Sequence, residues 1–270
     1  MAVSNSSIKQ ILEPRIDGKT KRMDVGGLLI PPTSLITALL YGFANHEHLR
    51  AKEYYFWRIC DELWNHEDLP EKLMVKHPWA EKMIWAALNN KYLAIGGSAS
   101  SGKSHTMAAW GIVNWLSKPK DTLVLMTSTT LREARKRIWG SVMSLLSVID
   151  GAPIKIRDSI GNAAYIDEKG TLIERAGISL IAAEKSKTRE AVGKFIGIKQ
   201  KRVILIGDEL SELSEAILQA GLSNLSKNPE FQLIGMSNPN SRFDAFGIWS
   251  EPINGWDSVD TSLEDGWPTK

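Results

Sequence analysis

The spacing of apolar residues divides the chain into a helical first part and a second part that alternates between strands and helices. Between 33 and 71, apolar side chains recur at helical intervals, and a further helix is predicted over 79–88. The segment 1–30 is polar and basic and contains glycines that interrupt any helix. We therefore expect it to form an arm that is ordered only when something else holds it.

Short apolar runs in the second part are typical of buried parallel strands. Amphipathic segments that predict helices separate them, and the stretch 153–183 alternates in the manner of antiparallel strands. The predicted strands span 92–95, 122–127, 203–206 and 231–235, and the predicted helices begin at Lys103 or span 131–149 and 214–225. This order predicts an α/β fold with a mainly parallel central sheet, helices on both faces, an antiparallel strand insert and an N-terminal helical region.

Composition adds little to this picture but excludes several classes of protein. Apolar residues make up 43% of the 270 residues and charged residues 24%, and the net charge is +2, so any affinity for nucleic acid must come from local patches. The single cysteine, Cys60, excludes an internal disulfide and fits a reducing cytosol. No secretory signal is visible, and no apolar run approaches the ~18 residues of a membrane span. We expect a soluble intracellular protein.

The first chemical motif is a glycine-rich loop of the form G-x-x-x-x-G-K-[ST], placed between a predicted strand and a predicted helix. Successive main-chain N–H groups in such a loop, together with the helix N-terminus, form an anion site. Lys103 is predicted to reach the β- and γ-phosphates of ATP, and the Ser104 hydroxyl to bind Mg²⁺. The residues predicted to contact nucleotide are Gly97, Ser98, Ala99, Ser100, Ser101, Gly102, Lys103 and Ser104, with His105 next on the helix.

The second motif is the apolar strand 203–206 followed by Gly207, Asp208 and Glu209. Parallel sheets bind ligands at the carboxyl ends of their strands, so both carboxylates are expected to face the glycine-rich loop. An acid at a strand end is common by itself, and the loop upstream gives it meaning. Asp208 is predicted to hold Mg²⁺, and Glu209 to orient and deprotonate the attacking water. The pair favours hydrolysis over phosphoryl transfer to a small molecule.

Three weaker features have more than one interpretation. Ser237 and Asn238, after the strand 231–235, are predicted to sense the γ-phosphate, although Asn-Pro also starts ordinary turns. The basic stretch 184–202 could supply an arginine to a neighbouring subunit's site, contact DNA phosphates or form a solvated loop. A second basic cluster is interpreted as a solvated helix face and comprises Arg132, Arg135, Lys136 and Arg137. The five histidines show no ligand spacing with Cys60, so no transition-metal site is predicted.

Over roughly 76–250, this combination resembles the ATPase domain of the large terminase subunit of tailed bacteriophages. The more particular wording is Thr127-Ser128-Thr129-Thr130 with Arg132 and Arg135, and Ser237-Asn238-Pro239. The resemblance implies an ASCE-type P-loop ATPase that uses ATP and Mg²⁺. It also implies a homo-oligomeric ring, usually of five subunits, which drives double-stranded DNA into the procapsid. The implied partners are the portal protein and the small terminase subunit, and the implied location is the host cytoplasm, at the portal.

The resemblance also assigns roles and boundaries. Lys103 and Glu209 match the catalytic lysine and carboxylate, and Ser104 and Asp208 match the metal-binding pair. The family's trans-acting arginine lies a little before the Asp-Glu motif, which makes Arg189 the first candidate and Arg202 the second. We expect 1–75 to form an arm and a helical lid, 76–250 the ATPase core, and 251–270 a tail or linker.

The sequence departs from the family at several points. The loop interior, 98–101, has no arginine, and the glutamine that reads adenine is absent around 78–81. Nothing after Trp249 is long enough for the family's nuclease domain, so either the chain is an isolated ATPase fragment or the nuclease lies elsewhere, and we expect no DNA cleavage. Two alternative functions stay open: another ASCE DNA-dependent ATPase, such as a helicase or loader, and a nucleotide-gated assembly module with negligible turnover.

Overall fold

The computed structural model describes most of the chain, and the following sections concern those residues alone. They are 12–17, 22–25, 28–30, 34–128, 130–149, 151–182, 198–213, 218–219, 221–223, 228–259 and 266–269. Arg189 and most of the basic stretch 184–202 lie outside them, as does much of the predicted helix 214–225. The parts of that helix that are described, 218–219 and 221–223, are helical.

The N-terminal segment contains strands that the sequence did not predict. Strands β1 (Arg15–Asp17), β2 (Arg22–Val25) and β3 (Leu28–Ile30) form an antiparallel sheet in the order β1-β2-β3. The expectation of an arm without regular structure over 1–30 is therefore wrong for these residues. The strands have three or four residues each, which is too short for apolar alternation to show in the sequence.

A seven-stranded sheet forms the centre of the molecule, in the order β4-β10-β9-β5-β8-β7-β6 among the described residues. Its strands are β4 (Tyr92–Gly96), β5 (Thr122–Ser128), β6 (Ile154–Arg157), β7 (Asn162–Ile166), β8 (Leu172–Ala182), β9 (Arg202–Gly207) and β10 (Glu230–Ser237). Neighbouring strands from β4 to β8 are parallel, whereas β8, β7 and β6 pair antiparallel. The predicted mainly parallel sheet with an antiparallel insert is confirmed.

The helices follow the predicted order with two differences. The single helical region expected between 33 and 71 consists of two helices that separate at His46–His48, and the basic segment after β5 contains a π-helix. The helices are α1 (Leu35–Asn45), α2 (Leu49–Trp64), α3 (Pro78–Asn89), α4 (Lys103–Ser117), α5 (Leu131–Ala134), a π-helix (Arg135–Trp139), α6 (Gly140–Leu146) and α7 (Ala245–Trp249). None of the helices in the described residues is long and apolar enough to cross a membrane.

Alternate residues of the central strands enter two different hydrophobic clusters, because side chains on a strand point to opposite faces. Met126 and Ile206 belong to the larger cluster, which also includes helices α1 to α4. Leu125 and Leu205 belong to a smaller cluster on the other face, which includes residues of α7.

The N-terminal helices belong to the core of the sheet domain. Phe43 of α1 and Trp110 of α4 meet edge to face, with ring centroids 6.0 Å apart, and both lie in the larger cluster. The expected boundary between 1–75 and 76–250 therefore does not coincide with a break in this core.

Candidate active site

The loop after β4 curls around the side chain of its own lysine. Ser100 and Gly102 have positive φ values of 59° and 81°, which reverse the chain direction before α4 begins at Lys103. The Lys103 Nζ donates hydrogen bonds to the carbonyl oxygens of Gly97 and Ser98, both at 2.7 Å. The loop therefore presents a cation, ringed by main chain, at the N-terminus of a helix.

Lys103 also connects the loop to the strands that carry the acidic residues. Its Nζ lies 3.2 Å from the Oδ1 of Asn238, which follows β10. Burial lowers the pKa of the Lys103 ammonium below its ordinary value, and the carboxylates of Glu209 and Asp208 oppose that shift. The ammonium is thus stabilised by oxygens that an incoming phosphate could replace.

Ser104 and Asp208 form a hydroxyl–carboxylate pair beside the lysine. The Ser104 Oγ donates to the Oδ1 of Asp208 at 3.0 Å, whereas the Oδ2 is buried and has no hydrogen-bond partner among the described residues. Burial raises the pKa of Asp208, and the hydrogen bond from Ser104 opposes the shift. A buried carboxylate with one free oxygen next to a hydroxyl fits Mg²⁺, which prefers oxygen ligands.

This pair is a partial ligand set. In the described part of the chain, no group of three or more His, Cys, Asp or Glu side chains could hold a metal ion by itself. Mg²⁺ in nucleotide sites is typically bound by one or two protein groups together with substrate phosphates and water. Ser104 and Asp208 therefore fit a cation that arrives with a nucleotide.

Glu209 is paired with an arginine that the sequence interpretation assigned to a solvated helix face. The Nη1 of Arg137 lies 2.6 Å from the Oε1 of Glu209. Glu209 itself has a φ of 54°, in the left-handed region that non-glycine residues rarely adopt. The glutamate predicted to act as a general base is thus held in an uncommon backbone conformation, with its side chain directed at a guanidinium group.

The antiparallel insert fixes the segment that carries Arg137. The Trp139 Nε1 donates to the Oδ1 of Asp158 at 2.7 Å, and Arg135 donates to the carbonyl oxygen of Ser159. Both acceptors lie in the turn between β6 and β7. Arg137 belongs to the π-helix 135–139, a widened turn that is frequent at functional sites. The insert and the π-helix together direct Arg137 toward the end of β9.

The predicted sensor residues connect the two halves of the site. The Ser237 Oγ donates to the Oγ of Ser211 at 2.7 Å and accepts from the Ser211 N–H at 3.2 Å. The Gly97 N–H donates to the carbonyl oxygen of Ser237 at 3.2 Å. Ser237 is buried and joins the start of the loop to the turn after Glu209, whereas Asn238 reaches Lys103.

The remaining predicted residues lie in different places. Ser98, Ala99 and Ser100 are exposed, so the loop opens to solvent at its middle. The Nε2 of His105 is 2.7 Å from the carbonyl oxygen of Leu73, so its ring faces the segment before α3 and only its main-chain N–H is oriented by the helix toward a nucleotide.

Arg202, the second candidate for a trans-acting arginine, lies at the wrong end of its strand. It begins β9, whereas Asp208 and Glu209 follow the other end. Its guanidinium donates to the Oγ1 of Thr122 at 3.1 Å and to the Oγ of Ser117 at 3.0 Å, and burial lowers its pKa to about 10. Arg202 therefore anchors β9 to β5 and α4 and is not available to a neighbouring subunit. Arg189 lies outside the described residues.

Comparison with known proteins identifies the fold through structure alone. No protein-family profile matches the chain, and no curated protein sequence matches it. Among solved structures, the large terminase of bacteriophage HK97 is similar with a TM-score of 0.55 and 13% identity, over 74% of this chain and 40% of that one. The large terminase ATPase domain of Thermus phage P74-26 has a TM-score of 0.47 and 15% identity, over 77% and 78%. The large terminase of another thermophilic bacteriophage, in complex with ADP, has a TM-score of 0.47 and 15% identity, over 74% and 40%.

The fold and the site define a P-loop nucleotide-binding α/β domain. Within that class, the chain has the fold of the ATPase domain of bacteriophage large terminases. It spans about two fifths of the length of the HK97 protein, 40%.

Proposed function

We propose that this chain is the ATP-hydrolysing motor of viral genome packaging, which translocates double-stranded DNA into a procapsid. The observation that carries the proposal is the convergence of Lys103, Ser104, Asp208 and Glu209 at the carboxyl ends of parallel strands. It occurs in a fold shared with a phage large terminase. In this proposal the chain works as a homo-oligomeric ring with the portal protein and the small terminase subunit, in the host cytoplasm at the portal.

The residues of the site divide the work of hydrolysis among them. Main-chain N–H groups of the loop 97–104 and the Lys103 ammonium bind the phosphates and stabilise the charge that develops on them. Ser104 and Asp208 hold Mg²⁺, which neutralises phosphate charge when bound. Glu209 accepts a proton from the attacking water, and water activation of this kind separates a hydrolase from a phosphate-transferring kinase.

The contacts of Ser237 and Asn238 provide a route from the nucleotide to the rest of the molecule. Asn238 is bonded to Lys103, and Ser237 is bonded both to the loop at Gly97 and to the turn at Ser211. A change in the loop when phosphate leaves would therefore be passed to the segment after Glu209. Segments that respond to the γ-phosphate in this way couple hydrolysis to movement in other nucleotide-driven proteins.

A packaging assay tests the proposal directly. Purified chain, procapsids that carry portal, linear double-stranded DNA and ATP are mixed, and DNA protected from nuclease is measured. We expect protection with the wild type and none with Glu209→Gln, whereas Glu47→Gln, which changes an exposed glutamate between α1 and α2, should leave it intact. Strand separation without protection would support a helicase instead. ATP binding with no turnover in any mixture would support a nucleotide-gated assembly module.

A further inference from the structure

Ser128, the last residue of β5, carries a buried hydroxyl that no protein group uses. The residue is 0% exposed, and its Oγ has no hydrogen-bond partner among the described residues. A buried polar group without a partner costs stability, so such groups are rare and usually have a ligand, a water or a functional role. The hydroxyl of Ser128 therefore needs an explanation that the fold does not supply.

The register of the sheet places Ser128 beside Asp208. Thr127 is paired with Gly207, and the Asp208 N–H donates to the carbonyl oxygen of Thr127 at 2.8 Å, so the next residues along the two strands, Ser128 and Asp208, are also neighbours. Two parallel strands thus end together at this point.

Both side chains lie on the face of the sheet that carries α4. Met126 and Ile206 pack in the cluster on that face, and Ser128 and Asp208 each follow by two residues, which returns a strand to the same side. The hydrogen bond from Ser104 of α4 to Asp208 confirms this side for the carboxylate. The Ser128 Oγ and the Asp208 Oδ2, both without partners in the described part of the chain, therefore belong to one buried polar pocket.

We propose that the Ser128 hydroxyl is a positioning group that hydrogen-bonds a water ligand of the Mg²⁺ held by Ser104 and Asp208. The inference rests on the proposed function, because it requires a metal–nucleotide complex at this site. Mg²⁺ gives up its water ligands reluctantly and keeps several of them in protein sites. Groups that orient the ligands of a metal from outside its coordination sphere typically change metal affinity about 10–100-fold.

Thr127 offers a matched control on the same strand. Its hydroxyl is also buried and also lacks a partner within the described ranges, but the residue points to the opposite face, as its neighbour Leu125 does. Ser128→Ala and Thr127→Val each remove one hydroxyl with little change in volume. Neither breaks a hydrogen bond that the structure describes, so neither should lower the Tm of the nucleotide-free chain.

The experiment measures how strongly Mg²⁺ and nucleotide favour each other's binding, without relying on turnover. A fluorescent, non-hydrolysable ATP analogue is titrated into each variant in EDTA and in Mg²⁺, and the ratio of the two Kd values is taken. We expect Ser128→Ala to reduce this ratio about tenfold while the Kd in EDTA stays within about twofold of the wild type. Thr127→Val should leave the ratio within about twofold.

The outcomes separate the two proposals. If the wild type binds no analogue in either buffer, the proposed ATPase function fails. If it binds and Ser128→Ala has the wild-type ratio, only the Ser128 assignment is overturned. The same holds if Thr127→Val loses as much coupling as Ser128→Ala, or if Ser128→Ala lowers the Tm of the nucleotide-free chain by several degrees, because the hydroxyl would then be structural.

Discussion

The guanidinium of Arg137 and the carboxylate of Glu209 are 2.6 Å apart, although the two residues come from different elements of the fold. Arg137 lies in the π-helix after β5, and Glu209 follows β9. Exposed ion pairs contribute little to stability, so we do not expect the main value of this contact to be structural. Its consequence is orientation, because the arginine fixes where the carboxylate points.

Removal of Arg137 should therefore affect turnover more than nucleotide binding. We expect Arg137→Ala to lower kcat about tenfold or more, since a Glu209 side chain free to rotate spends less time aligned with water. Arg137→Lys, which keeps the charge but loses the planar fork, should recover part of the rate. Phosphate release gives kcat, and calorimetry gives the Kd for ATP. A rise in basal turnover in Arg137→Ala would contradict this role and would mean that the pair restrains the base.

Lys103 is expected to be essential for turnover. Lys103→Ala removes the ammonium that bonds to the carbonyl oxygens of Gly97 and Ser98 and that would stabilise charge on the phosphates. We expect steady-state hydrolysis to fall about 100-fold or more. Lys155→Ala, which removes an exposed lysine of β6, serves as the control and should keep the wild-type rate. Equal rates in the two variants would exclude Lys103 from the chemistry.

The buried Asp208 predicts a pH-dependent stability in the nucleotide-free chain. Burial raises its pKa, so the folded chain holds this proton more tightly than the unfolded chain does. The stability contributed by the protonated carboxyl is present below the unfolded pKa of about 3.9 and is lost as pH rises through the higher folded pKa. At pH 7, Asp208→Asn should raise the free energy of unfolding by about 1 kcal/mol.

This gain should shrink as the pH approaches the unfolded pKa, because the native carboxyl then regains its proton. Denaturant unfolding at neutral and acidic pH, without metal or nucleotide, measures it. Asp257→Asn, at an exposed position, should show no comparable change. A loss of stability in Asp208→Asn at neutral pH would contradict the picture of a carboxylate that awaits a cation.

Ser237 is expected to matter for stability as well as for coupling. Ser237→Ala leaves the buried N–H of Ser211 without its acceptor, which should cost about 1–3 kcal/mol of unfolding free energy. Ser147→Ala, which removes an exposed hydroxyl bonded to a local carbonyl, should cost about 0.5 kcal/mol or less. Urea denaturation compares the two. Similar small losses would show that the bridge between the loop and the turn is not formed in solution.

The sequence predicted the parts of the site that depend on local pattern. The glycine-rich loop and the Asp208-Glu209 pair each follow an apolar strand, and strands of a parallel sheet end at one edge, so their meeting could be foreseen. The mainly parallel sheet followed from the same alternation of strands and helices.

The features that the sequence did not predict depend on distant contacts. Arg137 looked like one of several solvated basic residues, because only the docking of Trp139 and Arg135 on the insert turns it toward Glu209. Arg202 precedes the Asp-Glu motif closely in sequence, but the strand between them carries it to the opposite end of the sheet. Three or four residues per strand gave β1 to β3 too little alternation to detect.

The central claim is that this site binds ATP and uses Glu209 to cleave it. Phosphate release by the wild type and by Glu209→Gln, with ATP binding measured for both by calorimetry in Mg²⁺, tests that claim most directly. We expect both chains to bind ATP with a Kd within about tenfold of each other, and Glu209→Gln to release phosphate about 100-fold or more slowly. Equal rates of release, or no detectable ATP binding by the wild type, would contradict the account.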